Sequence, residues 1–250
     1  MAGVWTTADE LLRGRLVSME ELRAGRVAVR SSTLVAIGAC GGALYGVAMG
    51  LFGALRPQHA TGLQMLANMA KVPLLFLLTL IVAFPSLYTF SALSGSKLRF
   101  VETLKLLLVA IAVNLVLLAS FAPITAFFTL STTSYAFMVL LNCAFFALSG
   151  AVSLGVLGRA LRAVFEPPVK VAIPSESADA KPPQRPRVDE GAQRVFRTWL
   201  VIYALVGSQM AWILRPFIGT QGLEFALFRT REGSFFEGVV TALIKFMSGR

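Results

Sequence analysis

Four long stretches of the chain contain no charged residue: 31–55, 72–96, 106–158 and 198–214. A helix needs about 20 mostly apolar residues to cross a bilayer. The third stretch is long enough for two such helices and a turn. The pattern therefore predicts an all-α polytopic membrane helix bundle with five transmembrane helices, at 33–55, 72–94, 104–122, 135–157 and 197–218.

The overall composition agrees with a membrane protein. Only 14% of the residues are charged, against roughly 25% in soluble domains, and the mean hydropathy is +0.72. The first 30 residues are charged throughout and lack the apolar centre of a signal peptide, so we expect no cleavable signal.

The basic residues follow an alternating distribution that sets an orientation. Lys and Arg are frequent before the first predicted span, after the second and after the fourth, and absent between the third and the fourth. The positive-inside rule then places the N-terminus in the cytoplasm and the C-terminus outside. Most of the net charge of +10 is thus explained by topology, and nucleic acid is not an expected partner. The excess of arginine over lysine, with abundant alanine and glycine, favours a bacterial cytoplasmic (inner) membrane.

Three segments flank the predicted four-helix transmembrane unit, 33–157, and the fifth span. Residues 1–32 form a cytoplasmic amphipathic segment, and residues 158–196 a disordered, Pro-rich cytoplasmic linker. Residues 219–250 form a C-terminal amphipathic segment. In it, Ser234 and Glu237 have the spacing of a capping box, which predicts a helix to about Met247. This helix is too short to span, so we expect it in the outer interface against lipid; a sixth, short span is the alternative.

Glycine recurs every fourth residue in the first predicted span, at Gly38, Gly42, Gly46 and Gly50. Residues four apart share one side of a helix, so these glycines form a face without side chains, the glycine face. Close backbone approach drives helix association in lipid. A complementary small face in the fourth span consists of Ala147, Ala151 and Gly155. We expect the glycine face to pack on that span or on a second copy; the wall of a pore is a further alternative.

Polar residues inside the spans predict further contacts. Asn114 and Asn142 would lie at similar depth if spans three and four form a hairpin with its turn at 123–135, and their amides could then bond across it. Pro85 predicts a kink in the second span. Arg215, at the outer end of the fifth span, predicts snorkelling to the interface, a salt bridge to Glu224 or a contact with lipid phosphate.

No catalytic pattern is recognisable. No charged residue lies in the middle of a predicted span, which argues against proton relays and ion-coupled transport. The only histidine, His59, lies in an outer loop, and Cys40 and Cys143 suggest neither a disulfide nor a zinc site. The expectation is therefore a protein without enzymatic activity, cofactor or metal.

Two stretches, KVPLLFLLTLIVAFPSLYTF (71–90) and SYAFMVLLNCAFF (134–146), together with the five-span topology, resemble bacterial members of the YIP family of small multispanning proteins. The resemblance covers roughly residues 30–220. It implies a membrane scaffold or organiser without catalysis, and it carries over no functional residue.

The most consistent function is therefore a scaffold, or a subunit of a larger membrane complex, that binds the lipid bilayer and either another membrane protein or further copies of itself. The alternative is a small pore-forming or transporter subunit that uses the glycine face and the Pro85 kink. Its path would be lined by polar residues of several spans: Thr79, Ser86, Asn114, Asn142 and Gln209.

Overall fold

In a computed structural model of the chain, the described residues form six helices. The structure describes residues 30–55, 62–93, 100–165, 190–214, 218, 227–228 and 233–248. The helices are α1 (Ser31–Ala54), α2 (Leu63–Leu93), α3 (Phe100–Ser131), α4 (Tyr135–Phe165), α5 (Glu190–Ile213) and α6 (Phe235–Met247). These ranges contain no strand, and the predicted helical bundle is confirmed.

Helix α3 is the centre of the bundle. Ten consecutive residues, 106–115, are buried, so this part of the helix is covered on all sides. The helices α1, α2 and α4 pack against it, and α1 also packs along α2. Helix α5 lies on α2, and α6 lies against α4 and α5.

Within the described residues, four helices are long and apolar enough to cross a membrane, namely α1, residues 63–89 of α2, α3 and residues 135–160 of α4. The apolar part of α5, Thr198–Ile213, is shorter than these four. Four of the five predicted spans thus correspond to helices of spanning length, and the fifth is not established by length and composition.

Several helix ends differ from the predicted spans. Helix α2 begins nine residues before the predicted start. Polar side chains interrupt the apolar run in its first turns, but most of these residues are good helix formers, so the helix extends through them. Helix α3 continues through Pro123 to Ser131, so the predicted turn at 123–135 is wrong and only residues 132–134 connect α3 to α4. The hydroxyl groups in this last part of α3 bond to carbonyl oxygens of their own helix, for example Thr129 to Thr125 and Ser131 to Phe127, which satisfies them without a turn.

The flanking segments are described only in part. Residues 158–165 and 190–196 belong to α4 and α5, so the two ends of the predicted linker are helical. The amphipathic segment 1–29, the remainder of the linker, His59 and Arg215 lie outside the described residues. At the other end, the predicted cap of α6 is confirmed: the Ser234 side chain accepts a hydrogen bond from the Glu237 backbone N–H.

Candidate functional site

The glycine face of α1 lies against the backbones of α2 and α3. A Cβ atom at Gly50 would lie 2.6 Å from the Met65 Cα, and one at Gly46 would overlap the Asn68 carbonyl group. Nearer the N-terminus of the same helix, a Cβ atom at Gly38 would lie 3.2 Å from the Leu115 side chain of α3, and one at Gly42 would lie 3.0 Å from it. The glycines therefore allow one helix to approach two others at once.

The expected partner of this face was wrong. Ala147, Ala151 and Gly155 are exposed, and a Cβ atom at Gly155 would have no neighbour within 4 Å. Helix α4 instead turns its serines inward, where Ser153 Oγ donates to the Ala110 carbonyl oxygen of α3 at 2.6 Å. A hydroxyl group gains a hydrogen bond when it faces a neighbouring helix, whereas a methyl group can face lipid without losing one. The serines therefore determine the rotation of α4 about its axis.

A row of polar side chains on α2 begins where α2 packs against α1. The apolar pattern of the sequence does not reveal it. Gln64 Nε2 donates to Asn68 Oδ1 at 3.2 Å, and the Asn68 side chain is fully buried. The next member, Lys71, is 3% exposed; its ammonium group donates to the Leu227 carbonyl oxygen and lies 5.4 Å from the centroid of the Phe228 ring. The spacing of the three residues, i, i+4 and i+7, was the available signal. The row connects the first turns of α2 to the chain before α6.

The two intramembrane asparagines are both buried, but they lie in different environments. Asn142 accepts a hydrogen bond from the Tyr45 hydroxyl of α1 at 2.6 Å and donates to the Met138 carbonyl oxygen at 2.7 Å. Asn114 lies beside Gly150, and its Oδ1 has no hydrogen-bond partner within the described part of the chain. The expected hydrogen bond between the two amides assumed a turn at 123–135. Because α3 continues to Ser131, Asn114 lies farther from the turn than Asn142 does, and the two amides are at different depths.

We expect Tyr45→Phe to destabilise the bundle by about 1–3 kcal/mol, because it leaves the buried Asn142 oxygen without its donor. Asn114→Leu is the matched control: its oxygen already lacks a partner, so the substitution should be neutral or stabilising. Thermal unfolding of both variants in detergent measures the difference. Equal losses for the two variants would contradict the assignment of the Tyr45–Asn142 bond as a stabilising contact.

Helix α5 docks on α2 next to Pro85. Trp199 is 1% exposed, and its indole Nε1 donates to the Ser86 hydroxyl at 2.9 Å. That hydroxyl donates in turn to the Ala83 carbonyl oxygen at 2.7 Å. Helix α2 is continuous through Pro85, and the kink there stays a prediction. The proline thus borders the docking site of another helix.

The polar residues that would line a pore are distributed over several helix interfaces. Thr79 and Ser86 face α5, Asn142 faces α1, Asn114 lies between α3 and α4, and Gln209 is half-buried on α5. In the described ranges, no cluster of three His, Cys, Asp or Glu side chains could hold a metal ion, and both cysteines are free thiols.

No protein-family model, curated protein or solved structure matches the chain.

Proposed function

We propose that the chain is a non-enzymatic integral membrane protein that acts as a scaffold or as a subunit of a larger membrane complex. The observation that carries the proposal is the uncovered small face of α4, formed by Ala147, Ala151 and Gly155. In lipid, small residues at this spacing let a second helix approach closely. The glycine face of α1 is occupied within the chain, so the α4 face is the surface left for another membrane protein or a second copy.

The arrangement of polar groups supports a packed scaffold more than a pore. Tyr45 with Asn142, Ser153 with Ala110, and Trp199 with Ser86 each join two helices by a hydrogen bond. Polar groups that are paired across helix interfaces stabilise the bundle and offer no continuous path for a substrate.

We further propose that the protein resides in the bacterial cytoplasmic membrane with five crossings, its N-terminus in the cytoplasm and its C-terminus outside. The position of α5 supports the fifth crossing. Trp199 lies opposite Ser86 and Gly207 opposite Thr79, so α5 runs antiparallel along α2. The whole helix is about 36 Å long, and its apolar part, Thr198–Ile213, accounts for about 24 Å of this length. The resemblance to the YIP family supports the same scaffold function.

Photo-crosslinking in native membranes tests the proposed partner surface. A photoreactive amino acid at Ala151, on the small face, is expected to give a defined adduct larger than the chain. The same group at Ala36, an exposed alanine of α1, is the control and should give lipid adducts only. Indistinguishable adduct patterns at the two positions would refute a specific partner surface on α4.

A further inference from the structure

Helix α6 is divided into three strips along its length. One strip faces the bundle: Ala242 is buried, Gly238 lies against the Trp212 ring, and the Phe246 ring, although 49% exposed, is 6.1 Å from that of Phe137. The second strip is apolar and exposed, and it consists of Phe236, Val240, Leu243, Ile244 and Met247. The third is polar and exposed, and it consists of Glu237, Thr241, Lys245 and Ser248. A helix in contact with a bundle, with acyl chains and with water at once requires this division.

The bundle holds both ends of α6. The Trp212 indole at the end of α5 donates to the Gly233 carbonyl oxygen at 3.1 Å, just before the helix begins. The Phe246 contact fixes the other end of α6 to the first turn of α4. Thirteen residues rise only about 20 Å, which is too short to cross the hydrocarbon core. The helix is therefore anchored where α3 ends and α4 begins.

Exposed apolar side chains also lie at the end of α3, close to the place where α6 is anchored. At the end of α3, Phe127 and Leu130 are 61% and 77% exposed. The Phe127 ring contacts the Phe128 ring, which contacts Phe137, and Phe137 contacts Phe246, so a row of aromatic rings connects the end of α3 to α6. Because the surface of a spanning helix at this level faces acyl chains, lipid is the occupant that fits the α6 strip as well.

We propose that α6 is a lipid-binding helix that inserts its exposed apolar strip into one leaflet, beneath the headgroups, and thereby makes the protein favour convexly curved membranes. Such helices lie about 5–10 Å into the boundary between headgroups and acyl chains and respond to membrane curvature. Insertion into a single leaflet expands that leaflet only. The inference rests on the proposed membrane location, and it does not depend on the partner surface of α4.

Depth-dependent quenching tests the insertion. The full chain without Cys40 and Cys143 carries a fluorophore on a single cysteine, at Leu243 or at Thr241, in phosphatidylcholine–phosphatidylglycerol vesicles. Nitroxide lipids labelled just below the glycerol should quench the probe at 243 most strongly, and aqueous iodide should quench the probe at 241. Three results at 243 would overturn the proposal. Strongest quenching by nitroxides at the bilayer centre would indicate a span, and strongest quenching by iodide would indicate a solvated helix. Quenching by neither would indicate a face that protein covers.

Membrane nanotubes drawn from giant vesicles, with α6 in the outer leaflet, test the curvature response. The wild-type chain should be enriched on the tube, and Leu243→Ser with Met247→Ser should lose that enrichment. Thr241→Ser with Lys245→Gln, on the polar strip, is the matched control and should keep it. Absence of enrichment in the wild type, or equal enrichment of both variants, would overturn the curvature response. A failure to find an α4 partner would leave both results unchanged.

Discussion

Replacing Gly46 with leucine is expected to prevent folding of the bundle. A Cβ atom at this position overlaps the Asn68 backbone carbonyl, which cannot rotate away as a side chain can. Overpacking a well-packed interface costs about 1–3 kcal/mol, and we expect the upper end or more because backbone must move. Yield and size-exclusion behaviour of the purified protein in mild detergent measure the effect.

Gly155→Leu is the matched control for this substitution. It adds the same side chain to a glycine of α4 that has nothing within 4 Å, so the isolated chain should fold and unfold as the wild type does. If Gly46→Leu were purified with the same yield and thermal stability as Gly155→Leu, the close packing of α1 on α2 would be wrong.

Replacing Trp199 with alanine is expected to release α5 from α2. Truncating a buried tryptophan costs about 3–5 kcal/mol, since it removes both its contacts and its hydrogen bond to Ser86. A disulfide between Thr79→Cys and Gly207→Cys, in a chain without Cys40 and Cys143, reports the docking of α5. A Cβ atom at Gly207 would lie 3.7 Å from Thr79 Cγ2, so this pair should form in the parent chain and fail with Trp199→Ala.

Ser86→Ala separates the ring packing from the hydrogen bond. This variant loses the bond from the indole, about 0.6–2 kcal/mol, and the bond of the hydroxyl to the Ala83 carbonyl oxygen within α2, but it keeps the packing of the Trp199 ring. It should therefore keep the disulfide between 79 and 207. Efficient disulfide formation with Trp199→Ala would show that Trp199 is not the residue that docks α5.

The sequence predicts which helices form and which of their faces are special, because both depend on local patterns. Runs without charge locate α1 to α4, and the spacing of Ser234 and Glu237 locates the start of α6. The four-residue period of the α1 glycines identifies a face for close packing. These properties belong to single helices, so they can be derived without knowledge of the neighbours.

The sequence does not predict which helices meet. A glycine face fits any helix, and α2 and α3 occupy it here although α4 also offers small residues. The choice depends on how the serines of α4 and the polar row of α2 find partners, which requires all helices to be placed together. Lys71 illustrates the limit: its partners, Leu227 and Phe228, lie more than 150 residues away along the chain.

The small face of α4 became a candidate partner surface for the same reason. From the sequence it is one of two complementary faces within a chain. In the structure the other face is filled, and Ala147, Ala151 and Gly155 remain exposed. The sequence predicts that these three residues pack against a helix. We propose that this helix belongs to another membrane protein or to a second copy of the chain.

The chain can be purified from native membranes in mild detergent and the intact complex weighed by mass spectrometry. We expect a stoichiometric second membrane protein or a second copy of the chain, lost in Gly155→Leu and retained in Ala36→Leu. A wild-type chain that is recovered only as a monomer with bound lipid would contradict the proposal that this protein is a scaffold or complex subunit.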